Sequence, residues 1–204
     1  MTRAMDHFAG LERTGEPCQD VERFLAPRRP ETWRHTLAVA ERALALAPRF
    51  SLDPEAVRLA AYSHDLAAVV PRPNLVATAE AWGVSLTAED RAIPQVLHGP
   101  LAAAVIEARL SVRDIAILDA VRYHTTLRSH ATPLDLLLFV ADKIAFDPTT
   151  PRLDYLAAMQ SGLERSLEGA AWAYLDFVVG HVAELGWRLH PNLVAAHAHL
   201  RAFR

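Results

Sequence analysis

Apolar residues recur at helical spacing along almost the whole chain, and alternating runs rich in β-branched residues are absent. That pattern restricts the chain to an all-α fold. Between Glu31 and Phe50, Leu37, Val39, Ala40, Ala43, Leu44 and Leu46 form a broad apolar stripe, with Arg34, Glu41, Arg42 and Arg49 largely outside it. Pro30 stands where such a helix starts. Residues 51–70 read as one capped second helix, with Ser51 or Asp53 as N-cap, Pro54 in the first turn and Glu55 at the positive end of the dipole. Pro71 and Pro73 end it. Further helices are expected over 74–82, 87–93, 99–109, 112–123, 133–145, 151–166, 170–185 and 191–203.

With 204 residues, 51% of them hydrophobic, the chain can bury one sizeable core. Residues 1–25, a mixture of charge, Gly and Pro, read as an N-terminal extension, and 26–204 as one helical domain with additional C-terminal helices packed on its core. The loop FDPTTPR, 146–152, is the best internal boundary. A net charge of −3 gives no support for nucleic acid or an anionic membrane as a partner. Cys18 is the only cysteine, which excludes an intrachain disulfide and a thiolate zinc cluster and fits a reducing cytoplasm. The start of the chain lacks an apolar stretch of signal-peptide length, so a soluble cytoplasmic protein is expected.

Five strings carry the chemistry: His35 in WRHTLAVA, His64 and Asp65 in AYSHDLAA, His98 in VLHGPLAAA, His124 in VRYHTT and Asp142 in FVADKIAF. Four imidazoles and two carboxylates are a natural ligand set for two divalent metals. Adjacent helical residues project roughly 100° apart, so His64 and Asp65 cannot easily chelate one ion together. They suit a two-metal site in which Asp65 bridges and His64 binds one ion, His35 and Asp142 complete one shell, and His98 and His124 complete the other. Two divalent ions outweigh two carboxylates and a bridging hydroxide, so the site attracts polyphosphate and activates water for in-line attack, without a protein nucleophile. Asp142, within LLLFVADKIAF, is costly to bury unless paired or metal-bound. The alternative for any one of these histidines is a hydrogen-bonded structural role, and for Asp142 a salt bridge to an arginine.

In this order the strings resemble the HD-domain metal-dependent phosphohydrolases, and more closely their YqeK-type branch of symmetrical bis(5'-nucleosyl)-tetraphosphatases. The likeness runs through RHTLAVA, HD, LHG, RYHTT, ADKI and the late HPN string at His190 to Asn192. The resemblance implies an all-helical HD domain, a dinuclear iron site and hydrolysis of diadenosine tetraphosphate to two ADP molecules. It assigns His35, His64, Asp65, His98, His124 and Asp142 as ligands, with His64 and Asp65 central to catalysis. Ligand type alone also accepts Mn, Co, Ni or Zn.

The chain departs from that branch in three places. The lysine of its HDxAK pattern is Ala68, with Arg72 the nearest downstream cation, in the loop between two prolines. The glycine after HTT is Leu127, and the EPxR-like stretch is AFDP, with Arg152 as a stand-in. Arg128, Lys143 and Arg122 are the candidate phosphate-holding cations. Thr125 and Thr126 either cap a helix or bond a phosphate, capping being the simpler role. His7, His130, His181, His197 and His199 match no ligand position. Trp33, Trp82, Trp172 and Trp187 read as core or pocket wall rather than as a base-stacking platform. The expected substrate is a nucleotide polyphosphate. Another HD-type nucleotide phosphohydrolase, a metal-loaded nucleotide-binding module with little turnover and a purely structural helical protein are the alternatives, and a homodimer stays open.

Overall fold

Thr132 accepts a hydrogen bond from the Asp135 backbone, while the Asp135 side chain takes the Thr132 N–H, a capping box that starts the helix Pro133–Ile144. In this computed structural model, which describes residues 6–145 and 154–204, every residue from Leu134 to Asp142 is buried. A helix apolar on all sides belongs in the middle of a domain, and the other elements wrap it. The loop 146–152, with Arg152, lies outside the described residues.

In chain order the helices are α1 (Pro17–Arg28), α2 (Pro30–Leu46), α3 (Pro54–Ser63), α4 (Leu75–Ala81), α5 (Ala88–Ala92), α6 (His98–Arg109), α7 (Ile115–Tyr123), α8 (Pro133–Ile144), α9 (Asp154–Arg165), α10 (Leu167–Gly180), α11 (Val182–Leu185) and α12 (Pro191–Leu200). No strand occurs among the described residues, so the all-α expectation holds. Helices α2, α3, α7 and α10 pack on α8; α6 packs on α7, and α9 and α12 pack on α10. No helix among the described residues is long and apolar enough to cross a membrane.

Several expected elements change. The segment before Glu31 contributes α1, which spans the expected 25/26 boundary and buries Val21, Phe24 and Leu25 against α2 and α3. Phe8 is fully buried and packs on Phe24 and Trp82. Burying side chains of this size stabilises by about 1.5–3 kcal/mol each. Few apolar positions and an internal Pro27 hide this helix from a periodicity argument.

The second helix does begin at the Asp53 cap, whose carboxylate accepts from the Glu55 and Ala56 backbones, with Pro54 in the first turn. It does not run to residue 70. The chain leaves α3 at Ser63, turns at His64 and Asp65, and forms a 3-10 turn over Leu66–Val69. Residues 170–185 are likewise two helices, because the backbone at His181 leaves helical geometry between α10 and α11.

Candidate metal centre

Three of the four candidate histidines occupy the same local position: His64 caps the C-terminal end of α3, His98 that of the 3-10 turn Pro94–Leu97, and His124 that of α7. Helix ends leave carbonyls without intrahelical partners. The Nδ1 of each ring lies against the carbonyl three residues back, at 2.7 Å for Ala61, 2.6 Å for Gln95 and 2.8 Å for Val121. A carbonyl only accepts, so each Nδ1–H donates and each Nε2 carries a lone pair in the neutral ring. One device therefore sets the tautomer of three rings. Two of the other three positions come from inside helices: His35 from α2 and Asp142 from the last turn of α8, which bring His35 Nε2 to 2.9 Å from Asp142 Oδ1.

Asp65 owes its position to the break after α3. With φ −103° and ψ 15° it turns out of the helical path, which removes the angular separation expected for the doublet on a continuous helix. Its Oδ2 lies 3.5 Å from His64 Nε2, while Oδ1 lies 3.3 Å from His98 Nε2 and 3.8 Å from His124 Nε2. The two carboxylate oxygens thus face different imidazoles.

All six residues converge. One group of ligand atoms comes from His35, His64 and Asp142, and another from His64, Asp65 and His124, each group lying within 4.8 Å; His98 Nε2 is 2.9 Å from His124 Nε2. Two features fit divalent metal. His64 Nε2 is buried and has no hydrogen-bond partner, a costly state for a polar atom. The His98 and His124 Nε2 atoms also confront one another with Nδ1–H already committed, so a cation or a shared proton must reconcile them.

Electrostatics follow the same geometry. Burial alone would raise the Asp65 carboxyl, but His64, His98 and His124 hold it well below the usual carboxylate range. Burial opposes ionisation of Asp142 too, and Lys143, His35 and His64 overcome it. Burial, then His98 and His64, pushes His124 well down. His98 rises because its bond to Asp65 outweighs its burial, and His35 rises through its bond to Asp142. The centre is built to keep its carboxylates ionised.

The string LHG has a packing reason. A Cβ on Gly99 would stand 2.8 Å from the Arg122 carbonyl and 2.9 Å from that of Val121, closer than Cβ atoms come to backbone. Only glycine lets the start of α6 sit against the end of α7, where His98 meets His124.

Beside the centre lies a cavity of about 580 Å³ whose lining includes Asp65, His98, Thr125, Thr126 and Lys143, a size within the range of small-molecule sites. Lys143 pairs with Asp142 and also lies over the Phe139 and Tyr174 rings. Neither threonine caps a helix: Thr125 Oγ1 is 3.2 Å from both His98 Nε2 and His124 Nε2, and Thr126 Oγ1 donates to the Leu127 carbonyl.

The two arginines expected at phosphate lie elsewhere. Arg128 is held by Asp119 and, through Nε and Nη2, by buried Asp135, and stacks over Tyr123. Arg122 pairs with Asp119 and lines a separate groove. The cavity instead carries Arg72, at the start of a 3-10 turn and donating to Gln95 Oε1 at 2.9 Å, and Arg188. Ala68 also lies on its wall. Arg188 escaped the sequence reading; its only signal is its place in GWRLHPN, just before the HPN string. His190 of that string caps α12, accepts from the Asn192 backbone and lies 3.1 Å from Asp90 Oδ1.

Residues 32–147 match the HD domain family, and the chain belongs to it: this is an HD-domain hydrolase. Among its relatives, the symmetrical bis(5'-nucleosyl)-tetraphosphatase of Staphylococcus aureus is 30% identical over 73% of this chain and 78% of its own length. The protein of the same name from Bacillus subtilis is 33% identical over 59% of this chain and 64% of its own length. In structure the chain resembles a Clostridium acetobutylicum protein described as a predicted HD superfamily hydrolase involved in NAD metabolism. The TM-score is 0.82 at 24% identity, covering 91% of this chain and 97% of that one, a likeness that carries the fold alone.

Proposed function

We propose that the chain is a dinuclear-metal phosphohydrolase that cleaves dinucleoside polyphosphates symmetrically, releasing two ADP from diadenosine tetraphosphate. The observation that carries this reading is Asp65, whose two oxygens address His64 on one side and His98 and His124 on the other. His35, His64 and Asp142 would hold one ion, and Asp65, His98 and His124 a second. Iron follows from the resemblance, and Mn, Co, Ni or Zn satisfy the same donors. Such ions supply an activated water and stabilise charge on the attacking and leaving oxygens.

The chain's own groups prepare the rest. The three Nδ1–H bonds fix the rings so that no reorientation is needed when ligand binds. Lys143 holds Asp142 ionised and presents a cation to the cavity. Arg72 and Arg188 add positive charge where Ala68 replaces the family lysine, which suits a polyanion. Thr125 Oγ1, beside both Nε2 atoms, is placed to donate to a phosphate oxygen. The single cysteine and the absence of a spanning helix among the described residues accord with a cytoplasmic location.

Iron-loaded protein incubated with diadenosine tetraphosphate should yield ADP alone, and Asp65→Ala should yield none. AMP with ATP, or free phosphate, would exclude symmetrical cleavage. Ala68 on the cavity wall favours a second reading, a metal-loaded nucleotide-binding module with little turnover, which predicts retention of the dinucleotide without products.

A further inference from the structure

The four tryptophans have different surroundings. Trp33 is buried in the core, and Trp82 and Trp172 pack against it, whereas Trp187 is 52% exposed. Trp187 also lines the cavity that holds Asp65, His98 and Lys143. A large exposed ring is unfavourable in water, and this one stands where a ligand can cover it.

The chain around Trp187 is held on both sides. Gly186 terminates α11 in the left-handed region at φ 64°, and the Trp187 N–H donates to the Val182 carbonyl at 3.2 Å. Three residues later His190 is buried and anchored to Asp90. The backbone that carries the indole is thus held on both sides, which fixes where the side chain leaves the chain. Arg188 follows it, exposed, on the lining of the same cavity and with no salt bridge to any described residue. An aromatic face beside an uncommitted cation matches a base with its attached phosphate, since base stacking and charge neutralisation are the two terms of nucleotide binding.

We infer that Trp187 is the base-stacking face and Arg188 the adjacent phosphate-holding cation of a nucleoside subsite in this cavity. This deepens the phosphohydrolase reading by naming the residues that select a nucleotide over a bare polyphosphate. Stacking overlap grows with ring area, so the subsite prefers a purine to a pyrimidine.

The test is equilibrium binding, independent of turnover. Titration calorimetry on metal-loaded protein compares ADP, UDP and inorganic tripolyphosphate for wild type, Trp187→Ala, Trp187→Phe and Arg188→Gln, with circular dichroism confirming the fold of each. Trp187→Ala should weaken ADP about tenfold, the order of one lost base–aromatic stack. It should abolish the preference for ADP over UDP and leave tripolyphosphate unchanged, while Trp187→Phe stays within about threefold of wild type. Arg188→Gln should weaken ADP and tripolyphosphate together. Unchanged ADP binding in Trp187→Ala, equal losses of ADP and tripolyphosphate in that variant, or no ADP binding by the wild type overturns the inference. If ADP binds through Trp187 while diadenosine tetraphosphate is not cleaved, the proposed symmetrical cleavage fails and the subsite stands.

Discussion

His98 and His124 face one another through their Nε2 atoms at 2.9 Å, each with its Nδ1–H already given to a main-chain carbonyl. Without a metal, His98 is raised by its bond to Asp65, while His124 is lowered first by burial and then by His98 and His64 beside it. A divalent ion held by the two Nε2 atoms would take the place of a shared proton. Metal binding there would be coupled to proton release.

Stability of the metal-free protein should peak near pH 6.5, the ordinary histidine value. Below it the unfolded chain protonates a residue that folded His124 keeps neutral, so stability falls as pH falls, by up to about 1.4 kcal/mol per unit for one group. Above it the raised His35 and His98 lose protons that favoured the folded state, so stability falls as pH rises through their folded values. Urea unfolding across pH 5–8 measures this; stability that rises or falls monotonically across the whole range, with no maximum, would contradict it. His124→Gln should flatten the acid limb alone.

Gly99→Ala tests the close approach that joins the two rings. A methyl group there meets two carbonyls, so α6 and α7 must separate and carry His98 away from His124. Elemental analysis after dialysis should find bound metal reduced by half or more in a protein that remains helical. Full metal content would show that the ligand positions tolerate the shift.

Leu127 holds a left-handed backbone, at φ 58°, and is fully buried. Truncation to Ala should cost roughly 2–5 kcal/mol through the cavity it leaves. Leu127→Gly loses the same packing but relieves left-handed backbone strain of about 1–2 kcal/mol. Glycine should therefore be the more stable of the two variants in urea, although less stable than wild type. The reverse order would mean that the backbone at Leu127 carries no strain.

Arg128→Ala should behave as a stability mutant. It removes the charged partner of the buried Asp135 carboxylate, which keeps the Thr132 N–H, a loss of roughly 1–3 kcal/mol. KM for substrate should stay within about twofold at temperatures where the variant is folded. A large rise in KM with little change in melting temperature would return Arg128 to the phosphate site.

Ala68→Lys places a cation on the cavity wall beside Arg72. One added charge contact to phosphate should lower KM about three- to tenfold, with a steeper dependence on ionic strength. No change in either would show that Arg72 and Arg188 already meet the need for charge.

Helix formation was legible in the sequence because spacing, proline positions and caps are local. Asp53 with Pro54, and Pro133 at the start of α8, act within one turn of chain. The six candidate ligands were legible as residue types, since buried imidazoles and carboxylates in apolar strings need partners. α1 was not, because its apolar positions acquire meaning only when α2 and α3 cover them.

Tertiary structure alone decided how those residues act. The turn after Ser63 aims Asp65 across the site, and glycine contact between α6 and α7 sets the distance from His98 to His124. It also sorted the cations, drawing Arg128 into a buried pair while leaving Arg72 and Arg188 on the cavity. Periodicity reports which face of a helix avoids water. Direction at a helix end is fixed only when elements distant in the chain pack together, and the carboxylates that take Arg128 only when the turn after α7 folds against α7 and the start of α8.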